Sequence, residues 1–316
     1  MRTSPSPHSP NGSARPGFTL IELLVTMAVI AILMAILLPA INAIRTNVQN
    51  GRVIAEIRAM DTALNDFKGE YGSYPPSRIV LYEAGEGTAD TIRWDQHGVA
   101  GSAEDLERIR SRALIRSLWP SFDFTQTRDL DSSGTTTDVF HTLTGAECLA
   151  FFLGGMAGTN GSPSGFSKNA ADPFSTPAAG ETRTGPFHEF NGSRLVDVDN
   201  DGIGEYVDPL PDQRTPYVYI SSYSGRGYEV GDTSITTDDS IDLKVFGDNS
   251  RNLNDVYRQG AGTLATPWKN RTYQIISPGY DNIYGDGGQF TVEGTDALAE
   301  SERDNLTNFH TGSLAP

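Results

Sequence analysis

Apolar residues fill the chain from Phe18 to Ile41 almost without interruption, and Glu22 is the one charge among them. A run of this length exceeds the roughly 20 apolar residues that span a bilayer. Past it the pattern becomes one-sided. Ile41, Ile44, Val48, Ile54, Ile57, Leu64 and Phe67 recur at mostly three- and four-residue steps, with polar residues between them. This is the period of an amphipathic helix. The spacing predicts one helix from Phe18 to Phe67, on the order of 75 Å long if continuous. It is apolar all round over residues 18–41 and amphipathic over 42–72. Gly51 is tolerated at a cost near 1 kcal/mol. Tyr71-Gly72-Ser73-Tyr74-Pro75-Pro76 ends the element, because glycine followed by two prolines cannot continue a helix.

Later segments are shorter. Ser102 followed by Asp105 has the form of a capping box, and Leu106, Ile109, Leu114 and Leu118 mark a helix ending at Pro120. Leu143 to Leu153 reads as a short buried helix. The Gly-, Ser-, Thr-, Pro- and Asn-rich stretch from Gly154 to Gly185 predicts a long surface loop. Tyr217–Ser221 and Tyr273–Ser277 are β-prone runs bounded by Pro and Gly. The fold class is α+β.

Composition narrows function. The net charge of −16 falls to −18 without Arg2 and Arg15, the two charged residues before Phe18. A chain this acidic is a poor ligand for nucleic-acid phosphates, and none is expected as a partner. The single cysteine, Cys148, excludes an intramolecular disulfide and reads as a small core residue. The five histidines show no metal spacing, and no Ser/His/Asp or P-loop signature is present, so no enzymatic activity is expected.

The acidic residues are more informative. Asp197-Val198-Asp199-Asn200-Asp201-Gly202 fits D-x-[DN]-x-[DN]-G, and Asp208 puts an acid at the twelfth place. Alternating carboxylates before a glycine turn wrap the chain around calcium, which takes six to eight oxygens. Asp197, Asp199, Asp201, the Ile203 carbonyl, Glu205 and Asp208 form the predicted ligand set. Asp208 stands where an EF-hand has Glu, and the flanks read as strand or loop. The alternative is a solvated acidic turn. Asp129-Leu130-Asp131-Ser132-Ser133-Gly134 starts in the same way but has Phe140 at its twelfth place, and reads as a turn.

Pro16-Gly17-Phe18-Thr19-Leu20-Ile21-Glu22 resembles the N-terminus of type IV prepilins and of type II secretion pseudopilins. The resemblance implies a leader, residues 1–17, cut between Gly17 and Phe18 by a prepilin peptidase that also methylates the Phe18 amine. It implies that Glu22 pairs with the Phe18 amine of a neighbouring subunit, and that Pro39 interrupts the helical hydrogen-bond ladder. An intramembrane carboxylate costs roughly 2.5–3.5 kcal/mol on insertion scales and therefore points to a function. Pro16 departs from the pattern, since many members carry a second basic residue there.

The stop at Tyr71–Pro76 is similar to the one that ends the spine helix of major pseudopilins. Pro267–Gly279 with the loop that follows, and Asp304–Phe309, resemble their calcium-loop region. This implies a second calcium candidate at Asp281, Asp286 and Asp304, with Asp296 a weaker match. The implied fold is pilin-like, with the spine helix packed on a small antiparallel sheet. The head is residues 73–316, with an insertion over about 77–215 and the calcium region over about 267–310.

The expected protein is a structural subunit of a type II secretion pseudopilus, inserted once in the inner membrane with its head in the periplasm. Its expected partners are the prepilin peptidase/N-methyltransferase, like and related pseudopilin subunits, and the inner-membrane assembly machinery. Two other readings stay open: a surface adhesion or DNA-uptake pilin, and a membrane-tethered calcium-binding protein. The former would more often carry a C-terminal disulfide.

Overall fold

The computed structural model describes residues 17–137, 139–158, 161–228, 255–260, 265–292 and 298–315. They fall into two compact units, Met1–Val48 and Gln49–Pro316, described here separately. The predicted long helix is α1 (Leu20–Tyr71), with Pro39 inside it, and it contributes residues to both units.

In the first unit, the large apolar side chains from Leu20 to Leu38 are all exposed. An 18-residue stretch of α1 is apolar and long enough to cross a membrane, and none of it is buried. Solvation of so much hydrocarbon by water is unfavourable, so this surface calls for lipid or for other helices.

In the second unit, α1 buries Val53, Ile57, Met60, Leu64 and Phe67. The steps alternate between four and three, which keeps one stripe facing inward. The predicted stripe is corrected in its first part: Ile44 and Val48 are exposed, and Ile54, one position round from Val53, is only half-buried. Gly72 ends α1 with φ +82°, its amide donating to the Lys68 carbonyl at 2.8 Å. A left-handed residue at this place is the usual glycine stop.

Four further segments surround this stripe. β1 (Ile79–Tyr82) pairs antiparallel with β2 (Phe140–Leu143), with Leu81 opposite His141. Between them α2 (Ala103–Leu118) starts at Ser102, whose side chain accepts from the Asp105 amide. Its inward face differs from the expected one: Leu106 and Ile109 are exposed, whereas Glu107, Ser111, Ile115 and Leu118 are buried. Polar contacts select that face. Arg78 pairs with Glu107 at 3.2 Å, and Ser111 Oγ accepts from the Val80 amide at 2.8 Å. α3 (Gly145–Gly154) is the predicted buried helix, with Cys148 in the core.

The stretch from Gly154 to Gly185 is more than a surface loop. β3 (Phe166–Ser167) pairs with β4 (Arg183–Thr184), and Met156, Phe166 and Phe174 join the core. The aromatic rings of Trp119, Phe151, Phe166 and Phe174 meet there in mostly edge-to-face contacts, the arrangement ring quadrupoles favour.

β5 (Leu195–Val196) and β6 (Glu205–Tyr206) form a hairpin. β7 (Val218–Ser221) follows, then β8 (Arg258–Gln259) paired with β9 (Thr266–Pro267). β10 (Tyr273–Ser277) lies between β7 and β11 (Leu306–Thr307), antiparallel to both. Both faces of this sheet are covered. Tyr217, Tyr219, Tyr273 and Ile275 enter the core around α1, while Val218, Ile220 and Ile276 enter a second core with Tyr257, Tyr284 and Phe290. The two-residue alternation of a strand produces that division. The architecture is α+β: a long N-terminal helix and small antiparallel sheets.

Candidate functional site

Gly17 and Phe18 lie ahead of α1 and are exposed, Phe18 at 74 %. A Cβ added at Gly17 would meet nothing within 4 Å, so the Gly17 backbone is open on that side. Residues 1–16 of the leader lie outside the described residues.

Thr19 and Glu22 cap α1 reciprocally. The Thr19 amide and hydroxyl donate to Glu22 Oε2 at 2.9 and 2.8 Å, and the Glu22 amide donates back to Thr19 Oγ1 at 3.3 Å. This capping box satisfies amides that a helix start otherwise leaves unpaired. It also holds the Glu22 carboxylate at the positive end of the helix dipole, one turn from Phe18.

In the head, the β5–β6 hairpin carries the acidic loop Asp197–Gly204. Asp197 Oδ2 accepts from the Gly202 amide at 3.1 Å, and Asp201 Oδ1 from the Ile203 amide at 2.8 Å. Donor atoms of Asp197, Asp199 and Asp201 lie within 4.8 Å of one another. Glu205, at the start of β6, joins from one side, and Glu147 of α3 joins from the other. Donor atoms of Glu147, Asp199 and Glu205 also lie within 4.8 Å of one another.

Glu147 and Glu205 are buried. Glu147 Oε2 accepts from the Thr144 amide and hydroxyl at 2.6 and 2.7 Å, but its Oε1 has no hydrogen-bond partner among the described residues. Burial, followed by the nearby charge of Asp201, raises the Glu147 carboxyl well above its ordinary range. Burial likewise pushes Glu205 up to about 8, against the Val198 amide that donates to it and together with the charge of Asp199. An orphaned, buried carboxylate oxygen is costly unless it meets a cation or a proton. Five carboxylates at one place, with a free buried oxygen, are a donor set that fits a hard cation such as calcium.

Asp208 does not belong to this set, which corrects the twelfth-place assignment. It is buried elsewhere, accepting from Ser277 Oγ at 2.5 Å, Gln213 Nε2 at 2.7 Å and the Leu210 amide at 2.9 Å. Extended backbone advances about 3.3 Å per residue, so three residues past Glu205 the chain is about 10 Å away. The Ile203 side chain is buried and its amide serves Asp201.

The Asp129–Gly134 turn packs directly on the first loop and repeats part of its hydrogen-bond pattern. Asp129 Oδ2 accepts from the Gly134 amide at 2.9 Å, as Asp197 does from Gly202, and Asp131 Oδ1 accepts from the Ser133 amide at 2.8 Å. Ser132 and Asn200 occupy the same left-handed place, at φ +62° and +64°. Gly202, at φ +91°, has no room for a side chain: an added Cβ would come within 2.6 Å of Asp131 Cβ. Behind the pair lie two buried groups, Glu83 just past β1 and His141 on β2. Burial disfavours charge on His141, but Asp201 and Glu83 outweigh it and push its pKa up to about 10.

The second predicted acidic group is only partly assembled. Asp304 Oδ2 accepts from the Tyr280 and Asp281 amides, and Asp281 Oδ1 accepts from the Ile283 amide at 2.8 Å. Burial and the charge of Asp304 raise Asp281 to about 6. Asp286 instead lies where its charge raises Glu302. Asp296 lies outside the described residues.

A half-buried polar node ties the first loop's hairpin to the spine. Glu56 of α1 pairs with Arg194, next to β5, and accepts from the hydroxyls of Tyr206 and Tyr217 at 2.9 and 2.8 Å. Burial works against its charge, but Arg194 and the tyrosines outweigh it and lower its pKa.

Residues 13–38 match a family described as the prokaryotic N-terminal methylation motif. That match covers the Gly17–Phe18 junction, the Thr19–Glu22 cap and most of the exposed apolar helix. The chain carries a type IV pilin-like N-terminus. Such a motif implies processing by a prepilin peptidase and assembly through the helix that follows. With one exposed apolar helix, the pilin-like N-terminus is compatible with a single-pass inner-membrane anchor. No curated protein and no solved structure matches the chain significantly.

Sequence reasoning singled out Gly17, Phe18 and Glu22, which lie within the matched residues, and Pro39 just past them, but it did not single out Thr19. The Thr-x-x-Glu spacing could have revealed it, as it could for Thr144 and Glu147. Glu83 and His141 carry no local signal, and Asp131 could be read only as part of a turn, because only the fold brings the three together.

Proposed function

We propose that this protein is a structural subunit of a type II secretion pseudopilus, cut at Gly17–Phe18, methylated on Phe18 and assembled through its N-terminal helix. The observation that carries this reading is the methylation motif continuous with a helical stretch, Leu20 to Leu38, whose large apolar side chains are all exposed. That surface is stable in a membrane before assembly and among like helices after it. Cleavage would place the new Phe18 amine near its own Glu22, already oriented by Thr19. In a filament the carboxylate passes to a neighbour's amine, so two desolvated charges offset each other. The subunit acts mechanically rather than as a catalyst.

Calcium braces the head in this reading. It sits among Asp197, Asp199, Asp201, Glu205 and Glu147, and links the β5–β6 hairpin to α3. Through Arg194 and Glu56 the same hairpin grips the spine helix. The Asp281–Asp304 pair is a second, weaker calcium place that needs further oxygens from backbone or water.

Two measurements test the assembly reading. Mass spectrometry of the mature protein should find an N-methylated Phe18 at the N-terminus. Glu22→Ala should be inserted and processed normally but enter filaments poorly, and normal incorporation would rule out the pairing. Filaments confined to the cell envelope favour the secretion role, whereas long surface fibres favour an adhesion or DNA-uptake pilin.

A further inference from the structure

Next to the proposed calcium loop lies a group of donors that, Asp201 apart, calcium binding does not use. His141 is 2 % exposed and Glu83 is fully buried. His141 Nε2 lies 3.2 Å from Glu83 Oε1, which also accepts from the Leu130 amide at 2.7 Å. The other carboxylate oxygen, Glu83 Oε2, has no hydrogen-bond partner among the described residues, and neither has His141 Nδ1. The same holds for Asp201 Oδ2 and Asp129 Oδ1. Donor atoms of Glu83, Asp131 and His141 lie within 4.8 Å of one another, and Asp201 Oδ2 is 3.6 Å from His141 Nδ1.

Two arguments decide what belongs among them. The first is the tautomer. A carboxylate accepting from one ring nitrogen leaves the lone pair on the other, and this is how proteins orient an imidazole toward a metal. Glu83 does that from the Nε2 side, so an ion that displaces the Nδ1 proton would meet a lone pair facing Asp201.

The second argument is distance. A shared proton draws a charged nitrogen and a carboxylate oxygen to about 2.7–2.9 Å. Two ligands on a tetrahedral zinc-sized ion, each about 2.1 Å from it, stand about 3.4 Å apart. The observed 3.6 Å matches a ligand pair and is too long for a hydrogen bond. A nitrogen donor also argues against calcium here, since calcium takes oxygen and imidazole suits zinc and its neighbours.

We propose that His141 Nδ1, Asp131 and Asp201 bind one divalent transition ion of the zinc class, with Glu83 holding the imidazole from behind. The site is separate from the calcium loop and shares only Asp201 with it. It joins β2 to both acidic loops. Glu83 acts as a positioning residue.

The full chain in detergent micelles, stripped by chelator, provides the test, with cobalt(II) as the spectroscopic probe. One equivalent of cobalt should bind with a visible absorption band, be displaced by zinc, and resist millimolar calcium. His141→Gln and Asp131→Asn should each weaken zinc binding by tenfold or more and lose the band. Glu83→Gln should weaken binding about 10–100-fold while the band persists at high cobalt, the behaviour of a lost orienting partner. Circular dichroism keeps misfolded variants out of the comparison, and half-buried Asp131 supplies the variant that best preserves the core.

Glu205→Gln should leave cobalt binding unchanged, so failure of the calcium reading would register separately as a missing calcium-induced rise in Tm. The proposal is overturned if wild-type protein binds no stoichiometric cobalt, if calcium displaces it fully, or if His141→Gln binds as tightly as wild type. Any of these would leave His141 as an imidazolium paired with Glu83 and Asp201.

Discussion

Arg194 Nη1 donates to Glu56 Oε2 at 2.9 Å across 138 positions of sequence, joining the hairpin of the acidic loop to the spine helix. The Arg194 guanidinium also lies 4.4 Å over the Tyr206 ring, whose hydroxyl donates to the same carboxylate.

Removing Glu56 leaves Arg194 and two tyrosine hydroxyls without their acceptor. A fully buried pair broken on one side costs about 3–5 kcal/mol; this one is partly solvated, so Glu56→Ala should cost about 2–3 kcal/mol. Glu56→Gln keeps an acceptor and should cost less. Denaturant unfolding of the full chain in micelles measures both, and equal stabilities for wild type and Glu56→Ala would refute the node's importance.

Gly202→Ala tests the packing of the two acidic loops. The added methyl would meet Asp131 Cβ at 2.6 Å on a backbone at φ +91°. A strained backbone of this kind costs about 1–3 kcal/mol. Melting should occur at lower temperature, and calcium should raise Tm less than in wild type. An unchanged calcium response would mean that the loops function independently.

The pH dependence of the ion-free head follows from Glu205, which rises from 4.5 to about 8 on folding. Between those values the folded chain holds a proton that the unfolded chain releases, so stability falls as pH rises through that window. Chelated protein should therefore melt higher at pH 6 than at pH 8.5. Calcium needs the carboxylate ionised, so in its presence the slope should flatten or reverse. Glu205→Gln should reduce the chelated slope, with His141 and Glu147 supplying the remainder in the same direction. A chelated protein more stable at pH 8.5 would contradict this account.

Asp281 and Asp304 make a parallel case on a smaller scale. Asp281 is raised to about 6, and Asp304→Asn would remove the charge that helps raise it. In chelator, that variant should equal or exceed wild type in Tm; in calcium it should fall below it if this pair binds the ion. Melting curves with and without calcium decide between a second calcium place and a plain turn.

The spine helix and its stop were legible because they rest on local chemistry: continuous apolarity, then a helical period, then glycine and prolines. The strands Val218–Ser221 and Tyr273–Ser277 were legible for the same reason. The inward face of α2 was not, because Glu107 and Ser111 are buried by partners, Arg78 and Val80, that lie more than twenty residues away. Asp208 was misplaced because the twelve-residue template assumes a helix after the loop, whereas the chain enters β6. Each acidic loop could be read on its own, but its meeting with Glu83, His141 and Glu147 is a property of tertiary structure.

The acidic centre gathers chain positions as far apart as Glu147 and Glu205 in a protein with a single cysteine. An ion bound there closes several long chain loops at once, and the entropy it removes from the unfolded chain grows slowly with loop length, as it does for a covalent crosslink. With the proposed ions bound, the head would have a staple that reductants cannot cut and chelators can, so its integrity would track the ion supply of its surroundings instead of their redox state.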